Sequence, residues 1–175
     1  MSKCSFKVET IARRNTEIYG LVESCNRLLP QLTDDPERAA SAAYVIEMLE
    51  QPNFHLLMVF DPEREEDRDR AIAMACIYFV RRPEGWTGEI HSVVVDENYR
   101  GQGIGRALSK QMIATARQHS NDCNAVFTLK LTSKPTRVAA NRLYESLGFK
   151  IVGRADETEE SGTNYFKLRI KPSSE

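Results

Sequence analysis

The spacing of apolar residues along the chain predicts both helices and strands. Apolar positions at intervals of three and four residues are typical of helices, whereas alternation or a short continuous apolar run is typical of strands. The helical spacing predicts four helices, over Arg14–Leu29, Pro36–Leu49, Gly103–Ser120 and Arg137–Leu147. The strand pattern predicts seven strands, over Ser5–Thr10, His55–Phe60, Ala71–Val80, Thr87–Val95, Ala125–Leu131, Lys150–Arg154 and Asn164–Ile170.

Prolines and one glycine mark the ends of several of these elements. Pro30 is expected to stop the first helix, because proline cannot continue the ladder of helical hydrogen bonds. Pro36 suits the first turn of the second helix. Gly148 follows the fourth helix and suits its C-terminal cap.

The order of the elements, β-α-α-β-β-β-α-β-α-β-β, predicts the fold class. Antiparallel hairpins come first and strand–helix–strand units follow, so we expect an α/β (α+β) fold with a mixed, mostly antiparallel sheet of about 6–7 strands and helices on both faces. The sequence contains no internal repeat and no long linker. We therefore expect one domain over residues 1–175, with residues 171–175 as a flexible tail.

Composition and charge narrow the class of protein. The chain has 175 residues, 41% of them hydrophobic and 28% charged, with a formal net charge of −1. These values are those of a soluble globular protein, and they provide no basic field for nucleic acid or an anionic membrane. No apolar run reaches the ~20 residues that span a bilayer, and the N-terminus lacks a signal-peptide core. We expect a cytoplasmic protein without nucleic-acid or membrane partners.

The cysteines and histidines are too scattered for a zinc site. They are Cys4, Cys25, Cys76, Cys123, His55, His91 and His119. No pair has the short spacing that zinc sites use, so we expect reduced thiols, some of them buried, and no metal.

A glycine-punctuated turn carries the strongest functional signal. An apolar strand ends at Val95, glycines follow, and a helix begins near Ile104. Glycines let backbone N–H groups approach an anion, and a helix start offers unpaired N–H donors at the positive end of its dipole. The string fits neither a P-loop nor a dinucleotide fingerprint, since Arg106 stands where the fingerprint needs its third glycine. The turn therefore predicts another kind of diphosphate cradle, with a turn that binds no ligand as the alternative.

Two segments resemble the GNAT N-acetyltransferase superfamily. Val93–Leu108 resembles its acetyl-CoA signature, whose core pattern Gln/Arg-x-x-Gly-x-Gly/Ala is met by Arg100, Gly103 and Gly105. Ala139–Phe149 is similar to the family's segment after the fifth strand. The resemblance covers about Thr87–Ile170, with an acetyl-CoA-binding core at about 87–154, whereas the N-terminal half agrees only in element order.

The resemblance implies a set of residues that bind acetyl-CoA. Backbone amides of the turn would hold the pyrophosphate, the strand before it would pair with the pantetheine arm, and the helix after the fifth strand would contact that arm. The residues are Val93, Val94, Val95, Arg100, Gly101, Gln102, Gly103, Ile104, Gly105, Arg106, Asn141 and Tyr144.

The resemblance also supplies candidate catalytic residues. The Tyr144 hydroxyl would lie beside the thioester sulfur and protonate the leaving thiolate, although a core aromatic is the alternative. The acceptor amine must lose a proton before it attacks, either to a general base or to a water chain that leads to one, and Glu89 and His91 are the candidate bases. They lie two residues apart on one strand and hence on one face. We favour Glu89 slightly. A covalent route through Cys123 is disfavoured, because this cysteine has no evident histidine partner.

These residues together predict an N-acetyltransferase. It would transfer the acetyl group of acetyl-CoA directly to a primary amine of a small molecule, peptide or protein, without a metal. The alternative is a non-catalytic module that binds or senses acyl-CoA. Family members frequently dimerise, which leaves a homodimer open.

The chemistry of the acceptor stays undefined at the level of sequence. The resemblance places the acceptor pocket on Arg14–Leu49 and Ala155–Thr163. The second segment carries four acids that would attract a cationic acceptor, or that form an ordinary solvated loop. The charged run Asp61–Arg70 also has two interpretations. It is either a docking surface or a solvated hairpin tip.

Overall fold

The computed structural model describes residues 6–11, 18–33, 37, 39–61, 70–155 and 162–173. Within them lie four α-helices: α1 (Ile18–Leu28), α2 (Ala42–Glu50), α3 (Ile104–Asp122) and α4 (Val138–Ser146). Seven strands accompany them: β1 (Lys7–Ile11), β2 (Phe54–Phe60), β3 (Ala71–Arg82), β4 (Gly85–Val95), β5 (Phe127–Ser133), β6 (Lys150–Ala155) and β7 (Thr163–Ile170). Two 3₁₀ turns cover Leu29–Gln31 and Glu97–Tyr99.

The strands form one sheet in the order β1-β2-β3-β4-β5-β7-β6. β1 pairs with β2, β5 with β7 and β6 with β7 in antiparallel fashion, whereas β4 and β5 are parallel. The predicted mixed α/β fold and its element order are therefore confirmed. By its contacts the chain divides into two units, Met1–Cys76 with Ser92–Leu108, and Ile77–His91 with Ser109–Glu175.

Two predicted boundaries are wrong for local reasons. α2 begins at Ala42 and not at Pro36, because residues 39–41 are irregular and the Ser41 hydroxyl caps the helix by accepting the Tyr44 N–H at 3.2 Å. Pro36 itself lies outside the described residues. β5 begins at Phe127 and not at Ala125, since Ala125 is still bound to Ser120 at the end of α3.

The two charged segments of the sequence are only partly described. Residues 62–69 of the run Asp61–Arg70, and residues 156–161 of the acidic loop, lie outside the described residues. No helix among the described residues combines the length and the apolar character needed to cross a bilayer.

The first unit is built on strands that are buried at nearly every position. β2 and the first half of β3 are almost continuously buried, which is typical of strands covered on both faces. α1 adds an apolar stripe at helical spacing, formed by Leu21, Cys25 and Leu28. The Ser24 hydroxyl on the same stripe accepts the Ala71 N–H at 3.0 Å and so joins α1 to the start of β3.

In the second unit, β5 and β7 have one apolar and one polar face. Leu129 is paired with Leu168 and Leu131 with Phe166, and all four side chains project from the apolar face. Residues of the opposite parity carry charges and hydroxyls. On the apolar side, His119 of α3 stacks on Phe79 with ring centroids 3.9 Å apart. This histidine is therefore part of the core.

The C-terminus of α4 is closed by the predicted glycine cap. Gly148 has φ +93°, its N–H donates to the Glu145 carbonyl at 2.9 Å, and the Phe149 N–H donates to the Tyr144 carbonyl at 3.1 Å. This is the Schellman arrangement, which an L side chain at Gly148 would strain. The Phe149 and Tyr144 rings pack edge to face at 6.0 Å, so the cap also fixes Tyr144.

We expect Gly148→Ala to lower the free energy of unfolding by about 1–2 kcal/mol, because alanine must adopt left-handed backbone there. The new Cβ would lie 3.5 Å from Leu168 Cδ1, an ordinary contact, so backbone strain alone is tested. Gly153→Ala is the control, since Gly153 has no positive φ and no atom within 4 Å of the new Cβ. Urea denaturation measures both, and equal losses of stability would contradict the assigned cap.

Candidate active site

The glycine turn (Arg100–Gly105) has the backbone that its sequence predicts. Gly101 and Gly103 have φ +80° and +84°, a region that L side chains avoid. A Cβ at either position would have no atom within 4 Å, so the positive φ, and not crowding, requires glycine. The space beside both glycines is open to a ligand.

Five consecutive backbone N–H groups of this turn have no hydrogen-bond acceptor among the described residues, from Gly101 to Gly105. The first helical bond runs from the Ala107 N–H to the Gly103 carbonyl at 3.0 Å. α3 is 19 residues long and has no acidic residue in its first turn, which instead carries Arg106. The turn is therefore an anion-binding geometry.

Side chains of Arg27 and Gln31 fix the segment that leads into the glycine turn. Both terminal nitrogens of Arg27 are used, one donating to the Asp96 carboxylate and the other to the Ala71 carbonyl. The Gln31 side-chain oxygen accepts the Glu97 N–H at 2.9 Å. The sequence analysis did not identify Arg27, Gln31 or Asp96. Of the three, only Asp96 had a recognisable sequence feature, because it is an acid directly after an apolar strand.

The ionised form of Asp96 is stabilised by its neighbours. Burial would raise the pKa of Asp96, but hydrogen bonds from Asn98 and the charge of Arg27 outweigh burial and hold the pKa below its usual value. The Asp96 carboxylate accepts the Asn98 N–H at 3.1 Å, which caps the 3₁₀ turn before the glycine turn. Arg100 donates from Nε to the Val95 carbonyl at 3.1 Å, so its exposed side chain folds back along the same turn.

Glu89 and His91 lie on one face of β4, as predicted. Glu89 Oε2 is 3.7 Å from His91 Nε2, and Glu89 Oε1 is 3.4 Å from Arg82 Nη2. His91 is about half exposed and its ring meets the Tyr78 ring edge to face. The next residue, Ser92, has φ +53° inside a strand, which marks a local kink in β4. A carboxylate beside an accessible imidazole is a chemically sensible proton acceptor.

The paired segment of β4 and β5 is short. It runs from Thr87↔Thr128 to Glu89↔Lys130, although β4 continues to Val95. A cavity of about 210 Å³ lies where this pairing ends. Its lining residues are Glu89, Ile90, His91, Lys130, Leu131, Thr132, Tyr165, Phe166 and Lys167. Both candidate bases therefore line one cavity, together with lysines that the sequence analysis did not identify.

Tyr144 is buried but keeps an available hydroxyl. Its ring packs edge to face on Phe149 and Phe166, and only 5% of the residue is exposed. The hydroxyl makes no hydrogen bond within the described part of the chain. Burial raises the pKa of Tyr144 to about 12, with a smaller opposing effect from Arg137. The phenol thus stays protonated at neutral pH and can act as a hydrogen-bond donor.

Asn141 combines a structural contact with an unused acceptor. Its side-chain amide donates to the carbonyls of Lys134 and Pro135 at 3.0 and 3.2 Å, which fixes the turn between β5 and α4. Its Oδ1 atom is buried and has no partner among the described residues. A buried oxygen without a donor is unfavourable, so a ligand N–H at this position would satisfy it.

The cysteines described by the structure are poor nucleophiles or peripheral. Burial raises the pKa of Cys25 to about 11 and that of Cys76 to about 12, so both are protonated thiols at neutral pH. Cys123 lies just beyond α3, with Sγ 3.9 Å from the Ser120 carbonyl. Within the described residues, no three His, Cys, Asp or Glu side chains are grouped as metal ligands.

In sequence, the chain is similar to N-acetylaspartate synthetases. Identity is 40% over 65 residues with the protein of Xenopus tropicalis and 36% over 70 residues with that of Homo sapiens. These segments cover 37% and 40% of this chain. They span only 22% of the length of each of these relatives.

Solved acetyltransferase structures share the fold. A GNAT-family acetyltransferase from Streptococcus pneumoniae gives a TM-score of 0.72 at 18% identity, covering 95% of this chain and 99% of that one. NAA60 from Arabidopsis thaliana, in complex with acetyl-CoA, gives a TM-score of 0.69 at 15% identity, covering 95% of this chain and 99% of that one. The ribosomal-protein-S18-alanine N-acetyltransferase from Escherichia coli gives a TM-score of 0.66 at 18% identity, covering 98% of this chain and 97% of that one.

A family model covers most of the chain and settles its classification. The model of the acetyltransferase (GNAT) family matches residues 16–149, which include the glycine turn, the kinked strand with Glu89 and His91, and α4 with Tyr144. The match takes in parts of both units, and it extends into the N-terminal half, where the sequence resemblance rested on element order alone. The chain therefore belongs to the GNAT acetyltransferase family.

Proposed function

We propose that this chain is an N-acetyltransferase that moves the acetyl group of acetyl-CoA directly onto a primary amine. One observation carries the proposal: five consecutive unpartnered N–H groups, from Gly101 to Gly105, lie at the start of a 19-residue helix. Such a helix start binds phosphate groups well. Membership of an acetyltransferase family supports acetyl-CoA as the phosphate-bearing molecule. The whole chain would serve as one N-acetyltransferase domain.

The chain's own residues fit this co-substrate. The N–H groups of the glycine turn would bind the pyrophosphate, with Arg100 and Arg106 adding positive charge. The Val93–Val95 backbone would bind the pantetheine arm as an added strand. Asn141 Oδ1 would accept an amide N–H of that arm, which satisfies its unpartnered lone pairs.

Acetyl-CoA supplies an activated acetyl group. The acceptor ammonium first loses one proton to give the free amine. The amine nitrogen then bonds to the acetyl carbon, the carbon–sulfur bond breaks, and a second proton leaves the nitrogen for solvent as the thiolate departs. His91 or Glu89 would take up the first proton, and their shared cavity supports this role. A backbone N–H near Val94 or Val95 would stabilise the negative charge that develops on the carbonyl oxygen.

Tyr144 would act on the leaving sulfur mainly as a hydrogen-bond donor. Its pKa is raised to about 12, whereas a thiol titrates near ~8.5, so complete transfer of the phenolic proton is uphill. A hydrogen bond from a neutral phenol to the developing thiolate has no such cost. Water can then deliver the proton to the free thiolate.

The names of the curated relatives suggest where to look for the acceptor. They are N-acetylaspartate synthetases, so amino acids belong in the first panel of amines, beside polyamines and peptide N-termini. A non-catalytic acyl-CoA sensor is not favoured, since it would need neither an accessible proton acceptor nor the unpartnered hydroxyl of Tyr144.

We expect Gly103→Glu to lower acetyl-CoA affinity by at least about 100-fold, because it places a carboxylate and a strained backbone at the cradle. Gly153→Glu is the matched control, since it makes the same change in charge at a glycine with no positive φ. Equilibrium dialysis with radiolabelled acetyl-CoA measures both affinities. Unchanged affinity in a folded Gly103→Glu protein would mean that the pyrophosphate binds elsewhere.

We expect Tyr144→Phe to reduce kcat by about 10- to 100-fold, the usual contribution of a hydrogen bond to a charged group. The affinity for acetyl-CoA should stay nearly constant, because phenylalanine keeps the packing on Phe149 and Phe166. Tyr44→Phe is the control at a tyrosine that is 61% exposed. Steady-state kinetics at a saturating concentration of amine measures kcat for both variants. An unchanged kcat in Tyr144→Phe would show that Tyr144 takes no part in the mechanism.

A further inference from the structure

The polar face of the β5–β7 ladder carries two lysines at the cavity that holds Glu89 and His91. Lys130 and Lys167 are directly opposite each other in the antiparallel register, so their side chains project from the same face. Their Cβ atoms are then about 4.5–5.5 Å apart. Lys150 extends the same row on β6, opposite Lys167. Like charges in this arrangement destabilise a sheet unless something neutralises them.

Glu89 on β4 is the register neighbour of Lys130, but no carboxylate in the described part of the protein forms an ion pair with either cavity lysine. Neither Lys130 nor Lys167 has a hydrogen bond or an ion pair there. Among the lining residues Glu89 is the only carboxylate, and its oxygens are directed to Arg82 and His91. With His91 neutral, the described lining has two positive charges and one negative charge. The cavity is therefore suited to an anionic group.

Hydroxyl groups adjoin the lysines on the same face. Thr132 and Tyr165 are opposite each other in the β5–β7 ladder, two positions further along, and both line the cavity. Hydroxyls and ammonium groups together are donors that carboxylate oxygens accept readily. The cavity of about 210 Å³ is below the ~300–1,000 Å³ of drug-sized pockets, which favours a small molecule.

We propose that the acceptor is an acidic amino acid, whose carboxylates bind Lys130 and Lys167 while its amine faces Glu89 and His91. This inference rests on the proposed acetyl transfer and names the acceptor class for it. The charges agree, since an acidic amino acid has a net charge of −1 at neutral pH and the described lining has a net charge of +1. Lys130 and Lys167 would determine specificity and take no part in the chemistry.

Kinetics with acceptors of matched shape test the proposal. The purified full chain is assayed at saturating acetyl-CoA with aspartate, with asparagine as its neutral counterpart of the same shape, and with putrescine as a cation. We expect kcat/KM for aspartate to exceed that for asparagine by about 10- to 100-fold. Equal or higher values for asparagine or putrescine would overturn the proposal and leave acetyl transfer intact.

Variants of the lysines test whether the preference for aspartate over asparagine arises in the cavity. Lys167→Gln and Lys130→Gln should each raise KM for aspartate about tenfold or more, with kcat nearly unchanged. For asparagine, which keeps only the α-carboxylate, only one of the two variants should raise KM. Lys150→Gln is the control, because Lys150 lies in the same row but does not line the cavity. An equal rise in KM for aspartate in all three variants would indicate a general electrostatic effect of the charged sheet face. That result would contradict a carboxylate site at Lys130 and Lys167.

Binding measurements separate this proposal from the proposed function. If acetyl-CoA binds but no amine of the panel is acetylated, aspartate is titrated into the complex with CoA and followed by NMR. Absence of saturable aspartate binding would then overturn the acceptor assignment alone. If acetyl-CoA itself fails to bind the folded protein, the proposed function fails and the acceptor assignment fails with it.

Discussion

The Arg27–Asp96 ion pair fixes the segment that leads into the glycine turn. The N–H groups from Gly101 to Gly105 have no acceptor among the described residues, so the hydrogen bonds of the turn are limited to its two ends, where Arg100 bonds to Val95 and Glu97 and the Gly103 carbonyl accepts the Ala107 N–H. Arg27 of α1 and Gln31 of the 3₁₀ turn after it bond to Asp96 and Glu97, just before the glycine turn. Only 7% of the Asp96 side chain is exposed, so removing Arg27 would leave an uncompensated buried carboxylate. The proposed anion-binding turn thus follows a segment that a buried charge pair fixes.

Features that depend on nearby residues were predictable from the sequence, and features that depend on distant ones were not. Gly101, Gly103 and Gly148 adopt positive φ where a helix begins or ends, because local turn chemistry requires it. Arg27 and Asp96 are 69 positions apart, and nothing in either neighbourhood indicates the partner. The start of α2 was wrong for a related reason: Pro36 suited a first turn, but the serine cap at residue 41 determined where the helix begins.

The candidate site shows the same division. A face shared by Glu89 and His91 follows from strand periodicity, whereas their cavity depends on where the β4–β5 pairing stops. The juxtaposition of Lys130 and Lys167 depends on the register of β5 against β7, which no local pattern specifies. The Schellman cap connects both kinds of feature. The sequence predicts the cap from Gly148 alone. The same cap fixes the position of Tyr144, but that its hydroxyl has no partner follows only from the three-dimensional structure.

The central claim is that the backbone of the glycine turn binds the diphosphate of acetyl-CoA. Backbone amide NMR of the isotope-labelled protein tests it most directly, with acetyl-CoA compared against S-acetylpantetheine, which lacks the diphosphate. We predict that acetyl-CoA shifts the amide resonances of Gly101, Gly103 and Gly105 and protects them from hydrogen exchange, whereas S-acetylpantetheine leaves them nearly unchanged. Saturable binding of acetyl-CoA with these three amides unperturbed would contradict the account.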